Sequence, residues 1–426
     1  MIYFFIFLLL LLALLGAPLF AIIIVGAMAG FYSSGIDLSA IAIELYRISD
    51  TPVLIALPLF TLAGYILSES NTSHRLVRLT RACLGWMPGG LAFVSFVICA
   101  FFTAFTGASG VTIVALGALL YPALKQSGYK DKFSLGLVTT SGSLGLLLPP
   151  SLPLILYGVI AQQMGVGPDF SIDDLFIAGL LPALLMIIML SIYSLWANRK
   201  IQIPLTKFSG KKLLEAIRES IWEIPLPVFV LGGIYSGFFI ISEAAAVTAM
   251  YAIIVEVFIY KEIKLTKLPE IIRDSMVMVG GILLILGVSL ALTNYIIDIQ
   301  APMKLFAICQ SFVTNKLIFL ILLNIFLLFL GAILDIFSAI IIVVPLILPV
   351  AVSYGINPVH LGIIFLANMQ IGYLTPPVGM NLFIASYRFD KSIIEVYRAS
   401  LPFMIVLLGA VVIITYWPQL SLIFLS

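Results

Sequence analysis

The feature that most constrains this chain is a series of long, almost uncharged apolar windows. A membrane-spanning helix needs about 20 consecutive, mostly apolar residues. Windows of this kind lie at 3–32, 51–68, 87–124, 133–163, 175–198, 222–240, 243–260, 275–297, 317–353, 358–387 and 399–424. Only 10% of the 426 residues are charged, whereas a soluble domain carries about 25%. The windows therefore predict an all-α polytopic protein that lies in the lipid bilayer.

Two of these windows are too long for a single span and carry a glycine-containing break near the middle. The window 87–124 is interrupted at residues 106–110, and the window 317–353 at residues 331–335. Two apolar helices joined by a tight turn of small residues predict a re-entrant hairpin, which enters and leaves on one side of the membrane. Backbone outside a helix is tolerated at membrane depth only where it is buried in protein or faces water.

Two further windows, 133–163 and 358–387, each contain a pair of consecutive prolines, Pro149-Pro150 and Pro376-Pro377. Each pair removes two N–H donors and clashes with the preceding helical turn, and the residue before a proline is pushed out of the α region. We therefore predict that both helices unwind at mid-membrane depth. The carbonyl groups of the first half-helix would then point at a cation, and the N–H groups of the second half-helix at an anion.

Basic residues are concentrated in alternate loops, which orients the chain. The loops rich in Lys and Arg lie around residues 74–81, 125–132, 199–218, 261–273 and 388–398. By the positive-inside rule these loops are cytoplasmic, so the first hairpin opens from the cytoplasm and the second from outside. The N-terminus is then inside and the C-terminus outside. Segments 69–81 and 261–274 mix basic and apolar residues, as helices on a membrane surface do; ordinary loops are the alternative.

The order of hairpin and broken helix recurs in the two halves of the chain. Five Gly and Pro positions recur at one offset of 227 residues (349 − 122), and the Gly-Ala pairs at the hairpin tips recur at 224 (331 − 107). The pairs are Pro122 and Pro349, Gly128 and Gly355, Gly145 and Gly372, Pro149 and Pro376, and Pro150 and Pro377. Because the two units begin on opposite sides, we predict two inverted repeats, as in many secondary transporters. The first repeat takes residues 1–218; the central helices and the second repeat take residues 219–426.

The breaks predict two sodium sites, one in each repeat, because sodium is a hard cation that favours oxygen ligands. The first site would use Gly107, Ser109, Gly145, Leu148 and Pro150. The second site would use Gly331, Ala332, Gly372, Thr375 and Pro377. Hydroxyl groups near the first site come from Thr112, Ser141 and Ser143.

An anionic substrate is expected between the two hairpin tips. The second halves of the broken helices begin at about Ser151 and Gly379, and a helix N-terminus carries roughly half a positive charge. No Lys or Arg occurs from 133 to 196 or from 317 to 387, so these helix ends are the best available anion site. Ser151, Asn368 and Asn381 could add hydrogen bonds to such an anion.

Two acidic residues lie where a helix begins. Asp335 is the one acid inside the second hairpin, and intramembrane acids are costly and usually functional. It could cap the second hairpin helix or support an ion site, and both roles can hold together. Glu243 fits a first-turn acid favoured by the helix dipole, and the sequence assigns it no further role.

Several other classes of protein find no support. The three cysteines and two histidines have no metal-ligand spacing, and no Walker-type phosphate-binding run is present. A membrane-embedded enzyme would lack catalytic residues, because the windows hold no paired acids and no histidine cluster. A channel would not need inverted hairpins. We expect no enzymatic activity and no nucleic-acid partner.

Four stretches carry motifs of a known family, spread over most of the chain. They are residues 140–151 around Pro149-Pro150, residues 372–382 around Pro376-Pro377, residues 232–237 followed by residues 242–247, and Leu334-Asp335 running into Val344-Pro345-Leu346. The chain resembles the large membrane subunit of the TRAP transporters, the tripartite ATP-independent periplasmic transporters. One departure is Ile240-Ile241, just before Ser242-Glu243, where the family often has Thr-Pro.

The resemblance implies a function and a set of partners. It implies sodium-driven import of a carboxylate solute across the bacterial inner membrane by an elevator mechanism. It further implies a periplasmic solute-binding protein and, as a second chain, a small four-helix membrane subunit. A stand-alone sodium/dicarboxylate or citrate carrier, which needs no binding protein, is the alternative. The solute stays open among dicarboxylates, sialic acid and other sugar acids.

Overall fold

The computed structural model of the chain describes residues 11–12, 16–48, 51–87, 89–199, 209–313 and 315–425, and all regular elements in these ranges are helical. The first eleven α-helices are α1 Leu19–Ser33, α2 Ser39–Arg47, α3 Ala56–Glu69, α4 Thr72–Leu84, α5 Gly90–Thr106, α6 Ser109–Gln126, α7 Asp131–Ser141, α8 Leu152–Met164, α9 Ile172–Asn198, α10 Gly210–Glu219 and α11 Pro225–Tyr235. The others are α12 Ile241–Ile253, α13 Leu268–Asp298, α14 Ala301–Phe312, α15 Lys316–Ile333, α16 Ile336–Ser353, α17 Pro358–Gly372, α18 Met380–Phe389, α19 Ile393–Tyr416 and α20 Gln419–Leu422.

The helices confirm a multi-pass membrane protein. Within the described ranges, eight segments are long and apolar enough to cross a bilayer, and four shorter apolar helices accompany them. A helix is suited to the bilayer core because it makes its backbone hydrogen bonds within its own segment. The bilayer core contains no water that could make them. Part of the first predicted window, 3–32, lies outside the described residues.

Both hairpins turn at the predicted breaks. Helix α5 ends at Thr106, Gly107 takes a left-handed φ of 65°, and α6 begins at Ser109. A left-handed backbone favours glycine because glycine has no Cβ. In the second hairpin α15 ends at Ile333, and α16 begins after an extended Asp335.

Both predicted unwindings are also present. Helix α7 ends at Ser141, and a 3-10 turn at Leu144–Leu147 leads to the prolines before α8. Helix α17 ends at Gly372, and α18 begins beyond the second proline pair. The Pro149-Pro150 and Pro376-Pro377 peptide bonds are both cis.

The broken helices form the centre of the molecule. The most apolar window of Asp131–Met164 is 94% buried, whereas no other candidate span exceeds 61%. Every residue of α17 is buried as well. Close backbone packing holds this centre: a Cβ on Gly145 would lie 2.0 Å from the carbonyl oxygen of Ala100 on α5. The non-helical backbone is therefore enclosed by protein, as membrane depth requires.

Two sequence expectations need correction. The prediction of a separate surface helix over 261–274 is wrong, because α13 begins at Leu268 and continues without interruption to Asp298. The window 222–240 contains only the short helix α11, which ends in a turn where Gly237 has a φ of 70°. The expected helix near 69–81 is present as α4.

Candidate functional site

One hydrogen bond joins the tip of the first hairpin to the start of α18. The Ser109 hydroxyl donates to Asn381 Oδ1 over 2.8 Å, and Asn381 Nδ2 lies 3.5 Å from the carbonyl oxygen of Thr139 on α7. Ser109 is 3% exposed and Asn381 is fully buried. The sequence assigned Ser109 to an ion and Asn381 to the substrate; the structure brings the two side chains together.

A threonine missed by the sequence reasoning connects the same region. Thr103 Oγ1 lies 2.7 Å from Thr112 Oγ1 on α6 and 2.9 Å from the carbonyl oxygen of Gly142, just after α7. The available signal was its position one helical turn before Gly107, which places a hydroxyl beside the hairpin tip. Thr103 therefore links α5, α6 and the first break.

Several predicted sodium ligands of the first repeat have free carbonyl groups. Within the described ranges, no backbone N–H donates to the carbonyl oxygens of Gly107, Leu148 or Pro150, whereas that of Gly145 accepts from Leu148. Gly107 and Pro150 are buried, and buried backbone carbonyls are nearly always paired in native proteins. Such oxygens are suitable ligands for a hard cation.

In the second repeat the hairpin tip is bonded to the broken helix. The carbonyl oxygen of Ala332 accepts from the N–H groups of Val378 and Gly379, both over 3.2 Å. The Thr375 hydroxyl donates to the carbonyl oxygen of Ile371 over 3.0 Å. No backbone N–H in the described part of the chain reaches the carbonyl oxygens of Thr375 or Pro377. These two oxygens are free of backbone donors, whereas Ala332 already has two.

Gly331 and Gly372, the remaining predicted ligands of the second site, bring α15 and α17 into direct backbone contact. A Cβ built on Gly372 would lie 2.4 Å from the backbone carbon atoms of Gly331. The carbonyl oxygen of Gly372 accepts from the N–H of Thr375 over 2.9 Å. This contact fixes the position of the second hairpin tip on the second break.

The predicted substrate residues fall into different surroundings. Ser151 is the residue before α8, and its hydroxyl donates to the carbonyl oxygen of Leu146 over 2.6 Å. Gly379 precedes α18 with a left-handed φ of 55°. Asn368 instead donates to Asn324 Oδ1 on α15 over 2.6 Å. Asn381 is therefore the predicted amide that meets the first hairpin, and Asn368 meets the second.

The structure confirms that Asp335 caps a helix. Its Oδ1 accepts from the N–H groups of Phe337 and Ser338, both over 3.0 Å, and the Ser338 hydroxyl donates to Oδ2. A further role in supporting an ion stays a prediction. Glu243 is also a first-turn acid, since its Oε2 accepts from the N–H of Ile240 over 3.2 Å.

The two breaks lie against each other at equivalent positions. The Ser143 hydroxyl donates to the carbonyl oxygen of Gln370 over 3.4 Å, and these residues are separated by 227 positions, the offset of the repeat. A cavity of about 670 Å³ lies beside this centre, near the basic loops. It is bordered by Glu69 and His74 on one side and by Gly110 and Arg388 on the other.

Two hairpins packed on two broken helices, enclosed by further spanning helices, define a secondary transporter architecture. The chain matches the family described as "Tripartite ATP-independent periplasmic transporter, DctM component" over residues 3–420. The chain belongs to this family, a family of transport permeases rather than enzymes. The resemblance found in the sequence motifs is thereby confirmed.

Two relatives and one solved structure illustrate the match. The chain is 34% identical over 399 residues to the C4-dicarboxylate TRAP transporter large permease protein DctM of Pseudomonas aeruginosa, covering 93% of this chain and 92% of the relative. It is 31% identical over 412 residues to the isethionate TRAP transporter permease protein DctMQ of Oleidesulfovibrio alaskensis, covering 96% and 64%. The YdaH transporter of Alcanivorax borkumensis has the same fold, with a TM-score of 0.63 at 12% identity over 87% of this chain and 85% of that chain.

Proposed function

We propose that this chain carries a carboxylate-bearing organic anion into the cell across the bacterial inner membrane, driven by sodium. The observation that carries the proposal is the buried contact of Ser109 with Asn381, which lies between the first hairpin tip and the N-terminus of a half-helix. Family membership supports transport as the activity. The two relatives are named for a C4-dicarboxylate and for isethionate, both small organic anions.

Sodium coupling is supported by the free carbonyl oxygens at the two breaks. Among the described residues, no three His, Cys, Asp or Glu side chains converge to hold a metal ion. A cation in the centre would therefore be held by neutral oxygens, which suits sodium. The oxygens of Gly107, Leu148 and Pro150 support one site, and those of Thr375 and Pro377 support the other.

Anion binding follows from the half-helices α8 and α18. Their N-termini point partial positive charge toward the breaks, and residues 133–196 and 317–387 contain no Lys or Arg. Sodium bound beside these termini adds positive charge, so each ligand raises the affinity for the other by the same factor. Asn381 supplies an amide beside the same site.

Movement of the hairpins and broken helices as one body is the transport step we propose, with the two halves as inverted repeats. A second cavity of about 310 Å³, lined by Glu44, Arg47, Gln163 and Asn294, supports this proposal. It lies near loops assigned to the outside, and the larger cavity lies near the basic loops. Two cavities of unequal size, one at each end of the broken helices, are expected when the transporter is more open to one side of the membrane than to the other.

The small membrane subunit and the periplasmic binding protein are proposed as separate partners. The relative named DctMQ is longer than this chain, which covers 64% of it. We place the small subunit on the peripheral helices: α1, α9, α19 and the central pair α11 and α12. Support comes from α9, where Leu184, Ile188 and Ile192 form an exposed apolar stripe at the spacing of one helix face.

Reconstitution tests the whole proposal. Proteoliposomes holding this chain, the small subunit and the binding protein should take up succinate with a sodium Hill slope above one. Omitting either partner should abolish uptake, and the solute affinity of the purified complex should rise with sodium concentration. Uptake indifferent to sodium would overturn the coupling, and full uptake by this chain alone would favour the stand-alone carrier.

Replacing Asn381 by alanine is expected to raise the solute KM of uptake by about tenfold or more, because it removes the amide beside the proposed site and leaves the buried Ser109 hydroxyl without its acceptor, at a cost of about 1–3 kcal/mol. The control is Asn198→Ala on α9, since the Asn198 amide is also buried but donates only to its own helix, at Ser194. The solute KM of the control should stay at the wild-type value. Equal KM values for both variants would remove Asn381 from the site.

A further inference from the structure

The 670 Å³ cavity has one wall that leads directly to the proposed site. Asn381, Ile384 and Arg388 follow one another on α18 at spacings of three and four residues, so they share one face of the helix. Asn381 contacts the first hairpin tip, whereas Ile384 and Arg388 line the cavity. This row of three residues therefore runs from the proposed site to the end of the cavity that faces the basic loops.

Arg388 is held in this wall with most of its donors free. Its Nε donates to the carbonyl oxygen of Val114 on α6 over 3.1 Å, which directs the guanidinium across the gap between α18 and α6. Arg388 is exposed, and within the described ranges no carboxylate lies within ion-pair distance of it. Its two terminal nitrogens carry four N–H groups in the fork that matches a carboxylate.

The other charged groups around the cavity do not cancel Arg388. Glu69 is the acidic residue of the lining, and it is ion-paired with Lys267 over 2.5 Å. The part of the lining that α6 contributes consists of small or apolar residues, including Gly110, Ala115 and Ala118. Among the Lys, Arg, Asp and Glu side chains of the described lining, Arg388 is therefore the one without an ion-pair partner.

We propose that Arg388 forms a second anion subsite, which takes the carboxylate of the solute as it leaves the site at Ser109 and Asn381. This inference rests on the proposed function and extends it to the release step. Seven residues of helix place Arg388 about 10 Å along α18 from Asn381. The carboxylate of the solute therefore occupies first the site at Asn381 and then the subsite at Arg388. Arg388 thereby selects for negative charge at the cytoplasmic end of the route.

The first experiment measures the charge of the cavity without reference to any solute. Ala118, which lines the cavity and is half-buried, is changed to cysteine in the reconstituted complex after the chain's own 3 cysteines are replaced by alanine. Labelling rates are compared for a sulfonate-bearing and a trimethylammonium-bearing methanethiosulfonate. Arg388→Gln should lower the ratio of the anionic to the cationic labelling rate by about fivefold. The variant removes one positive charge from the cavity, which attracts the anionic probe and repels the cationic probe.

Two matched variants separate charge from architecture. Arg388→Lys keeps the charge but loses the planar fork, and it should preserve most of the ratio. Arg398→Gln removes an exposed cation that does not line the cavity, and it should leave the ratio unchanged. An unchanged ratio in Arg388→Gln, or an equal loss in Arg388→Lys, overturns the subsite.

The second experiment measures succinate exchange in proteoliposomes from both sides. Arg388→Gln should raise the KM for succinate offered from the cytoplasmic side by about tenfold, the effect of one lost charge-assisted hydrogen bond, and leave the opposite KM unchanged. Equal KM changes on both sides overturn the release subsite. If the wild-type complex moves no succinate while the labelling ratio responds to Arg388→Gln, the proposed function fails for that solute and the anion-selective cavity stands.

Discussion

Replacing Arg75 by glutamine is expected to destabilise the protein by about 3–5 kcal/mol, the usual effect of removing one partner from a buried ion network. Arg75 lies on α4, and its side chain is only 10% exposed. Its guanidinium pairs with Glu223 and Glu262, and with Glu256 over 3.2 Å. The side chains of Glu223 and Glu256 are 4% and 0% exposed, so the variant would leave two buried carboxylates without their cation.

The geometry around Arg75 explains why this residue matters more than other surface-helix cations. Burial alone lowers the pKa of the Arg75 guanidinium, but the hydrogen bond with Glu262 and the charges of Glu223 and Glu256 raise it above its usual value. The ring of Tyr260 also lies 3.9 Å from the guanidinium carbon, which adds a cation–π contact. The network therefore attaches α4 to the segments before α11 and after α12.

The measurement is the melting temperature of the purified protein in detergent, which should fall by several degrees in Arg75→Gln. Arg78→Gln is the matched control, because Arg78 lies on the same helix and pairs with Glu219 over 2.8 Å, with side chains 58% and 43% exposed. Exposed pairs contribute about 0–1 kcal/mol, so the control should melt close to wild type. Equal melting temperatures for the two variants would show that the buried network adds nothing.

Replacing Gly372 by alanine is expected to separate the second hairpin from the second break and to reduce transport by tenfold or more. The new Cβ would lie 2.4 Å from the Gly331 backbone, and backbone cannot move aside as a flexible side chain does. Overpacking of this kind costs about 1–3 kcal/mol. Separation would also break the bonds from Val378 and Gly379 to the carbonyl oxygen of Ala332.

A graded series of glycine variants checks this explanation. In Gly331→Ala the closest contact of the Cβ is 3.0 Å, and at Gly280 nothing lies within 4 Å. Transport should therefore decrease least in Gly280→Ala, more in Gly331→Ala and most in Gly372→Ala. The exposed Gly280→Ala variant should even gain up to about 1 kcal/mol of helix stability. Loss of transport in Gly280→Ala, or wild-type transport in Gly372→Ala, would contradict the contact.

The sequence alone predicted the features that depend on local backbone chemistry. The turn at Gly107, the unwinding at both proline pairs and the cap at Asp335 are set by neighbouring residues. Proline lacks an N–H, and a carboxylate two or three residues before free N–H groups finds them locally. The spans followed from the length of the apolar windows, with two exceptions. The helix in window 222–240 is shorter than predicted, and part of segment 261–274 belongs to the long helix α13 rather than to a separate surface helix.

The contacts of the site were decided only by the tertiary structure. Ser109 meets Asn381 across 272 positions, and Arg75 meets Glu223 across 148. Asn368, predicted to contact the substrate, pairs with Asn324 across 44 positions. The physical reason lies in the helices of the centre. Every residue of α17 is buried, and a helix that is buried on all sides has no solvent-facing side to reveal which face meets which neighbour. Its rotation and partners are therefore set by packing, above all by where glycine lets two backbones touch.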